Sequence, residues 1–266
     1  MGGINQNNYL NKYLTQIRAQ GRYAFTLEEL KAEFNLPYPT IKQALYRLKS
    51  KKEIAQIRQG FYVIIPPEYS KQGMLPPYLF IDDLMKSLNK PYYVGLLSAA
   101  ALHGAAHQQP MGYTVIVESP APRNITKLKI DFYAKQNFIQ DGIVQKKTPA
   151  GYINVSSPEL TALEFFEYIQ KFGINRITTV LQELAEEMKL ALLRKIVKQY
   201  PNMAAIQRLG YILDRIITEE KMSDILWKVL NERTYFPVPL SPQKEKKGEI
   251  DNKWKIIKNM EIESDL

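Results

Sequence analysis

Leu10, Tyr13, Leu14 and Ile17 recur at helical spacing near the start of the chain and predict an amphipathic helix over 9–19. Gly21 is placed to end it as a C-cap glycine. Thr26 followed by Glu29 has the spacing of a capping box, so a second helix is expected from Leu27, with Leu27, Leu30 and Phe34 as its buried stripe. Asn35-Leu-Pro-Tyr-Pro39 cannot continue that helix, because two prolines remove donors and fix the backbone. A third helix is expected to start near Pro39 or Thr40, with Ile41, Ala44, Leu45 and Leu48 as its apolar face. Glu53-Ile-Ala-Gln-Ile57 and Phe61-Tyr-Val-Ile-Ile65 then read as two strands, with Arg58-Gln59-Gly60 at the tip of the hairpin and Gly60 supplying the positive φ of a tight turn. Two short helices followed by a hairpin predict a winged helix-turn-helix.

Pro66-Pro67 and Gly73-Met-Leu-Pro-Pro77 mark a linker, which divides the chain into expected domains 1–66 and 78–266 joined by 67–77. In the larger part a helix is expected over 79–88, with Leu79, Phe80, Leu84 and Leu88 inward. Tyr92-Tyr-Val-Gly-Leu-Leu-Ser-Ala-Ala-Ala-Leu-His-Gly104 reads as an apolar helix with small residues along one side. Tyr113-Thr-Val-Ile-Val117 predicts a buried strand, and 127–133 a half-exposed one with Lys127, Lys129 and Asp131 on one face. Short strands are expected at 142–147 and 151–155. Ser157 as N-cap and Pro158 at the first helical position open a helical region, with segments at 158–170, 175–187, 189–199, 203–217 and 223–232. A final strand is expected at 253–258, with Trp254 and Ile256 on one side. No internal repeat is evident. The expected fold class is α+β and predominantly α: an N-terminal winged helix-turn-helix, then a larger helical domain with a small β-sheet.

Charge changes the picture. The formal net charge is +9, yet residues 1–66 hold 10 Lys/Arg against 4 Asp/Glu, and residues 38–62 hold 6 against 1. So concentrated a positive region is the electrostatic footprint of a phosphate-backbone binder. It falls on the third helix and hairpin, where Thr40, Lys42, Gln43, Tyr46, Arg47 and Lys49 occupy the polar face, Lys51 and Lys52 follow it, and Arg58 and Gln59 stand at the turn. Gln pairs bidentately with adenine and Arg with guanine in a major groove, while Thr, Tyr and Lys suit phosphates. Arg58 is suited to a minor groove or a phosphate. These ten residues are the expected DNA-binding set.

Other chemistries find little support. No run of 18 apolar residues occurs, and the N-terminus lacks the basic flank and apolar core of a signal peptide. The absence of cysteine removes disulfides and thiolate metal sites and fits a cytoplasmic protein. His103 and His107, the two histidines, are four apart, but no third ligand is evident, so packed or solvent-facing histidines are expected rather than a metal pair. Asp82 and Asp83 point different ways on a helix. Phosphate-binding, dinucleotide-binding and nucleophile-elbow motifs are missing, as is the Gly-Ser and spaced-aspartate signature of nucleotidyltransferases. No catalytic residue, metal or cofactor is expected. A second basic surface on Arg194, Lys195 and Lys198, or on Arg208 and Arg215, is weighed against a solvated face balanced by Glu183, Glu186 and Glu187, and the latter is favoured.

The run Thr40-Ile-Lys-Gln-Ala-Leu-Tyr-Arg-Leu-Lys-Ser-Lys-Lys-Glu-Ile-Ala-Gln-Ile-Arg-Gln-Gly-Phe-Tyr62 resembles the N-terminal winged-helix domain of AbiEi-type antitoxins. The stretch 92–104, with Gln108, Pro110 and the strand to Val117, resembles the start of their second domain, and the Trp254 segment is also similar. Gly-Leu-Leu-Ser-Ala-Ala is the more telling part. The resemblance implies a DNA-binding domain paired with a C-terminal antitoxin domain. It implies repression of the protein's own operon through inverted repeats in the promoter. It also implies antagonism of a nucleotidyltransferase-like toxin encoded alongside, in a type IV abortive-infection (phage-defence) system where no stable toxin complex is required. A monomer in solution that binds DNA cooperatively is the expected state, with no membrane partner. The competing expectation is a winged-helix regulator whose C-terminal domain senses a ligand, with no toxin involved.

Overall fold

A computed structural model describes residues 9–105 and 110–262; His107 and Gln108 lie outside the described residues. The chain is α+β. The first elements in order are α1 (Tyr9–Ala19), β1 (Ala24–Thr26), α2 (Leu27–Glu33), α3 (Tyr38–Ser50), β2 (Ile54–Arg58) and β3 (Phe61–Ile64). The Thr26–Glu29 capping box forms in both directions, with Glu29 N–H donating to Thr26 Oγ1 at 3.0 Å and Thr26 N–H to Glu29 Oε2 at 2.6 Å. Leu10, Leu14, Ile17, Leu30, Ile41, Leu45 and Leu48 join Phe25, Ile54, Tyr62 and Ile64 in one core. Burying each aliphatic side chain there contributes about 1.5–3 kcal/mol.

Two details depart from the expectation. Helix α3 opens at Tyr38, with Pro37 as its N-cap and Pro39 inside the first turn. A proline is harmless there, because its missing N–H has no intrahelical acceptor in a first turn. Strand β1 is also additional. It pairs antiparallel with β3 (Ala24↔Val63, Phe25↔Tyr62), giving a sheet ordered β1-β3-β2. Three residues are too few to display a strand period.

Beyond β3 lie 3-10 turns at Pro67–Tyr69 and Pro77–Leu79, then α4 (Ile81–Ser87), β4 (Tyr92–Val94), α5 (Leu96–Leu102), β5 (Tyr113–Glu118), β6 (Ile130–Lys135), β7 (Ile143–Thr148) and β8 (Gly151–Ser156). The last five strands form a sheet ordered β6-β5-β4-β8-β7. The apolar stretch at 92–104 is therefore a strand followed by a helix. Short apolar runs do not distinguish the two by period; here Val94 takes Val155 as a parallel partner. Similarly, Lys127 sits in a 3-10 turn (Thr126–Leu128) and Lys129 is left-handed (φ 51°), so β6 starts only at Ile130.

The helical region comprises α6 (Pro158–Phe165), α7 (Ile169–Phe172), α8 (Ile174–Glu186), α9 (Leu190–Gln199), α10 (Met203–Arg215) and α11 (Glu220–Asn231). Ser157 caps α6 through a bond from Leu160 N–H. The expected helix 158–170 is interrupted, and the break presents Glu167 to Lys135 and Tyr200. Short strands β9 (Val238–Pro239), β10 (Ile250–Asp251) and β11 (Ile256–Ile257) close the chain, ordered β10-β11-β9. Trp254, fully buried between β10 and β11, stacks its ring over Gly210 of α10; a Cβ there would lie 2.0 Å from the indole. Its Nε1–H donates to Asp214 Oδ2 at 2.8 Å.

Contacts group the chain into two compact units. One holds Met1–Tyr92, Pro122–Ile130 and Gln145–Asn154; the other holds Tyr93–Ala121, Asp131–Val144 and Val155–Leu266.

Candidate nucleic-acid interface

Helix α3 divides sharply into two faces. Ile41, Leu45 and Leu48 are buried, whereas Lys42, Gln43, Tyr46, Arg47 and Lys49 are exposed, Tyr46 at 68%; Thr40 is half-buried. One helical face thus carries five of the ten expected residues. Lys49 Nζ donates to Gln56 Oε1 on β2 at 3.2 Å, tying the end of the helix to the hairpin. Lys51 and Lys52 follow in the exposed turn. Lys52 is left-handed (φ 59°), which reverses the chain so that Glu53 N–H bonds Leu48 carbonyl at 3.0 Å. Glu53, the single acid between 38 and 62, lies 4.0 Å from Lys51, a loose exposed pair. The face remains strongly basic, with six cations against one acid between 38 and 62.

The hairpin differs from the expectation in one respect. Arg58 is the last residue of β2, opposite Phe61 after a bulge, so the tip itself is Gln59-Gly60. Gly60 has φ 75°, and its carbonyl accepts from Leu27 N–H at 2.8 Å, which anchors the turn on α2. Arg58 is half-buried, and its Nη1 donates to the Arg123 carbonyl at 3.4 Å. A cleft of about 570 Å³ opens there, lined among others by Gln56, Arg58, Gln59, Arg123, Asn124 and Lys127. Sequence reading missed Arg123, because 65 positions separate it from Arg58 and no local pattern links them. It also passed over Tyr38, half-exposed in the first turn of α3 with the Lys31 ammonium 5.2 Å from its ring centre.

Several of the other sequence candidates are used by the fold. Arg208 is 7% exposed and donates through Nε and Nη2 to the Pro239 carbonyl, both at 3.0 Å, so it belongs to no basic surface. Burial lowers its pKa to about 10. Arg215 pairs with Asp251 at 3.1 Å and Lys195 with Asp141 at 2.6 Å. His103 Nε2 donates to the Ser156 carbonyl at 2.7 Å. Among the described residues no group of three His, Asp or Glu side chains is arranged to hold a metal. Asp82 accepts from Tyr92 Oη at 2.9 Å while Asp83 faces Arg22, so the adjacent pair points apart.

One buried polar cluster was not foreseen. Glu164 on α6 accepts from Tyr93 Oη and, at 2.6 Å, from Lys135 Nζ. Lys135 also reaches Glu167 at 3.3 Å, which in turn accepts from Tyr200 Oη at 2.6 Å. Burial pushes the Glu164 carboxyl above its ordinary range despite the Lys135 ammonium. Burial opposes the charge on Lys135, but two carboxylates outweigh it and raise the ammonium's pKa. The paired state is the one these groups favour together, and it ties α6 to β4 and β6, with Glu167 in the turn after α6 and Tyr200 just past α9.

The family described as "Transcriptional regulator, AbiEi antitoxin" matches residues 12–65, the segment that carries α3 and its hairpin. The family described as "AbiEi antitoxin C-terminal domain" matches residues 93–215. The chain belongs to the AbiEi-type antitoxin family. It is accordingly an antitoxin and a transcriptional regulator of DNA-binding type. The C-terminal AbiEi match begins at Tyr93, a member of the buried cluster, and ends at Arg215. The crystal structure of the RV2827C protein from Mycobacterium tuberculosis has a similar fold, with a TM-score of 0.67 at 17% identity over 94% of this chain and 90% of that one. No curated protein matches the chain. No helix among the described residues is long and apolar enough to cross a membrane.

Proposed function

We propose that this AbiEi protein represses its own operon and counteracts a nucleotidyltransferase-like toxin encoded beside it. Residues 1–66 act as a winged helix-turn-helix: α3 enters the major groove of inverted repeats in the promoter, and the β2–β3 hairpin, as the wing, lies on the flanking backbone. Thr40, Lys42, Gln43, Tyr46, Arg47 and Lys49 face the groove, and Lys51, Lys52, Arg58 and Gln59 face phosphates. The observation that carries this reading is the outward face of α3, where cations and bidentate donors stand exposed over a helix whose opposite face is fully buried. Residues 78–266 antagonise the toxin without a lasting complex, and no catalytic group or cofactor takes part.

The test is a promoter reporter run beside a toxin-rescue assay in the same cells. The double variant K42A/R47A is expected to lose repression and keep rescue. Repression equal to that of the unaltered protein would remove α3 as the reading helix; loss of rescue alone would place antagonism in the N-terminal segment.

A further inference from the structure

We propose that the loop over 122–129 is a second clamp on nucleic-acid backbone. With Arg58 it forms a groove beside the β2–β3 hairpin that takes the sugar-phosphate chain of duplex DNA flanking the bases read by α3. The inference rests on the docking proposed above and adds residues that lie outside the helix and hairpin.

Three observations support it. The groove, about 570 Å³, is lined by Arg58, Arg123 and Lys127, and among the described residues no carboxylate lines it. That volume lies within the range of about 300–1,000 Å³ typical of ligand clefts. The sequence from Ser119 to Ile130 carries Arg123, Lys127 and Lys129 and no acid, whereas Glu118 and Asp131 bound it on either side. The three cations are exposed.

The loop is also built to hold a shape. Ile125 and Ile130 exchange backbone bonds, with Ile125 N–H to Ile130 carbonyl at 2.9 Å and the reverse at 3.2 Å. The 3-10 turn Thr126–Leu128 and the left-handed Lys129 close the intervening residues. Arg58 is oriented by its bond to the Arg123 carbonyl. That bond engages one Nη1 hydrogen of a fork with five donors, so the guanidinium retains donors for phosphate oxygens. Ile57, Ile125 and Leu128 give the groove apolar walls against which a deoxyribose can pack. An oriented Arg58, exposed cations on a fixed backbone and a described lining without acid favour a polyanion of fixed geometry, and the hairpin beside the groove makes that polyanion the DNA that α3 reads.

The experiment measures binding of the full chain to the duplex upstream of its own gene, across a salt series. R123A/K127A is compared with K221A/K228A, which removes the same charge from the exposed side of α11. The groove variant is expected to bind about tenfold more weakly at moderate salt. Its slope of log affinity against log salt should be shallower by about 1.8, at about 0.9 per phosphate contact. The control should stay within twofold, and both should keep the unaltered thermal midpoint. On a duplex trimmed by several base pairs beyond the α3 site, the difference between unaltered protein and groove variant should vanish. Equal affinity and equal slope for the groove variant would overturn the clamp and leave α3 docking intact, even if toxin rescue were lost, since the groove would then serve a protein. Failure of the unaltered protein to bind the duplex at all would overturn both.

Discussion

Helices α3 and α10 are each 13 residues long, amphipathic, and supplied with cations at helical spacing. Their fates differ. On α10, Arg208 is drawn inside to bond the Pro239 carbonyl, and Arg215 meets Asp251. On α3, Lys42, Gln43, Tyr46 and Arg47 stand exposed, and Glu53, just past the helix, lies 4.0 Å from Lys51. The difference lies in the neighbours. Where the fold supplies carbonyls and carboxylates in its interior, a cation becomes part of the scaffold; where it leaves the side chain at the surface, the cation is accessible to a partner. The comparison yields a rule: removing an absorbed cation should cost stability, and removing an α3 cation should cost affinity.

The largest effect is expected for an absorbed cation with two acid partners. Lys135→Met leaves Glu164 buried without its counter-charge, which costs about 3–5 kcal/mol; a urea titration should show the midpoint collapse. If the midpoint held, the cluster would be ornamental to stability. Next is Arg208→Met, which strips the Pro239 carbonyl of its donor at an expected cost of about 1–3 kcal/mol, read in the same titration. DNA affinity per folded molecule should not change in either variant.

Arg47→Ala should reverse the pattern. Promoter affinity falls by about 1–3 kcal/mol if the side chain reads a base, while the thermal midpoint stays put. An equal loss on unrelated duplexes would assign Arg47 to phosphate rather than base.

The smallest effect concerns pH. Glu164 has its folded pKa raised by burial, so the folded state keeps a proton that the unfolded chain has already released. Its contribution is complete below the ordinary carboxyl pKa and is lost as pH rises through the folded value. Stability of the unaltered protein should therefore decline across that window, and Glu164→Gln should flatten the decline. An unchanged pH profile in Glu164→Gln would remove this linkage.

The sequence shows the N-terminal segment well because its signals are local: the Thr26–Glu29 box, the i, i+3, i+4 and i+7 apolar positions of α3, and Gly60 in the turn all lie within a few residues of what they shape. It shows the second unit less well because pairing there is long-range. Nothing in Tyr92-Tyr-Val94 announces a parallel partner 61 positions on. Nothing in Arg208 distinguishes it from a surface arginine until Pro239 folds back over it. Charge pattern alone marks a cation, and only tertiary structure reveals whether the fold has already used it. The same reason hid Arg123 beside Arg58.

The central claim is that the cations of α3 and its hairpin meet DNA phosphates, and salt tests it most directly. Binding of the full chain to its own promoter duplex should weaken with a log–log slope near about −5, for five or six neutralised phosphates, and Lys42→Ala should make that slope shallower by about 0.9. A slope near zero, or one that Lys42→Ala leaves unchanged, would contradict it.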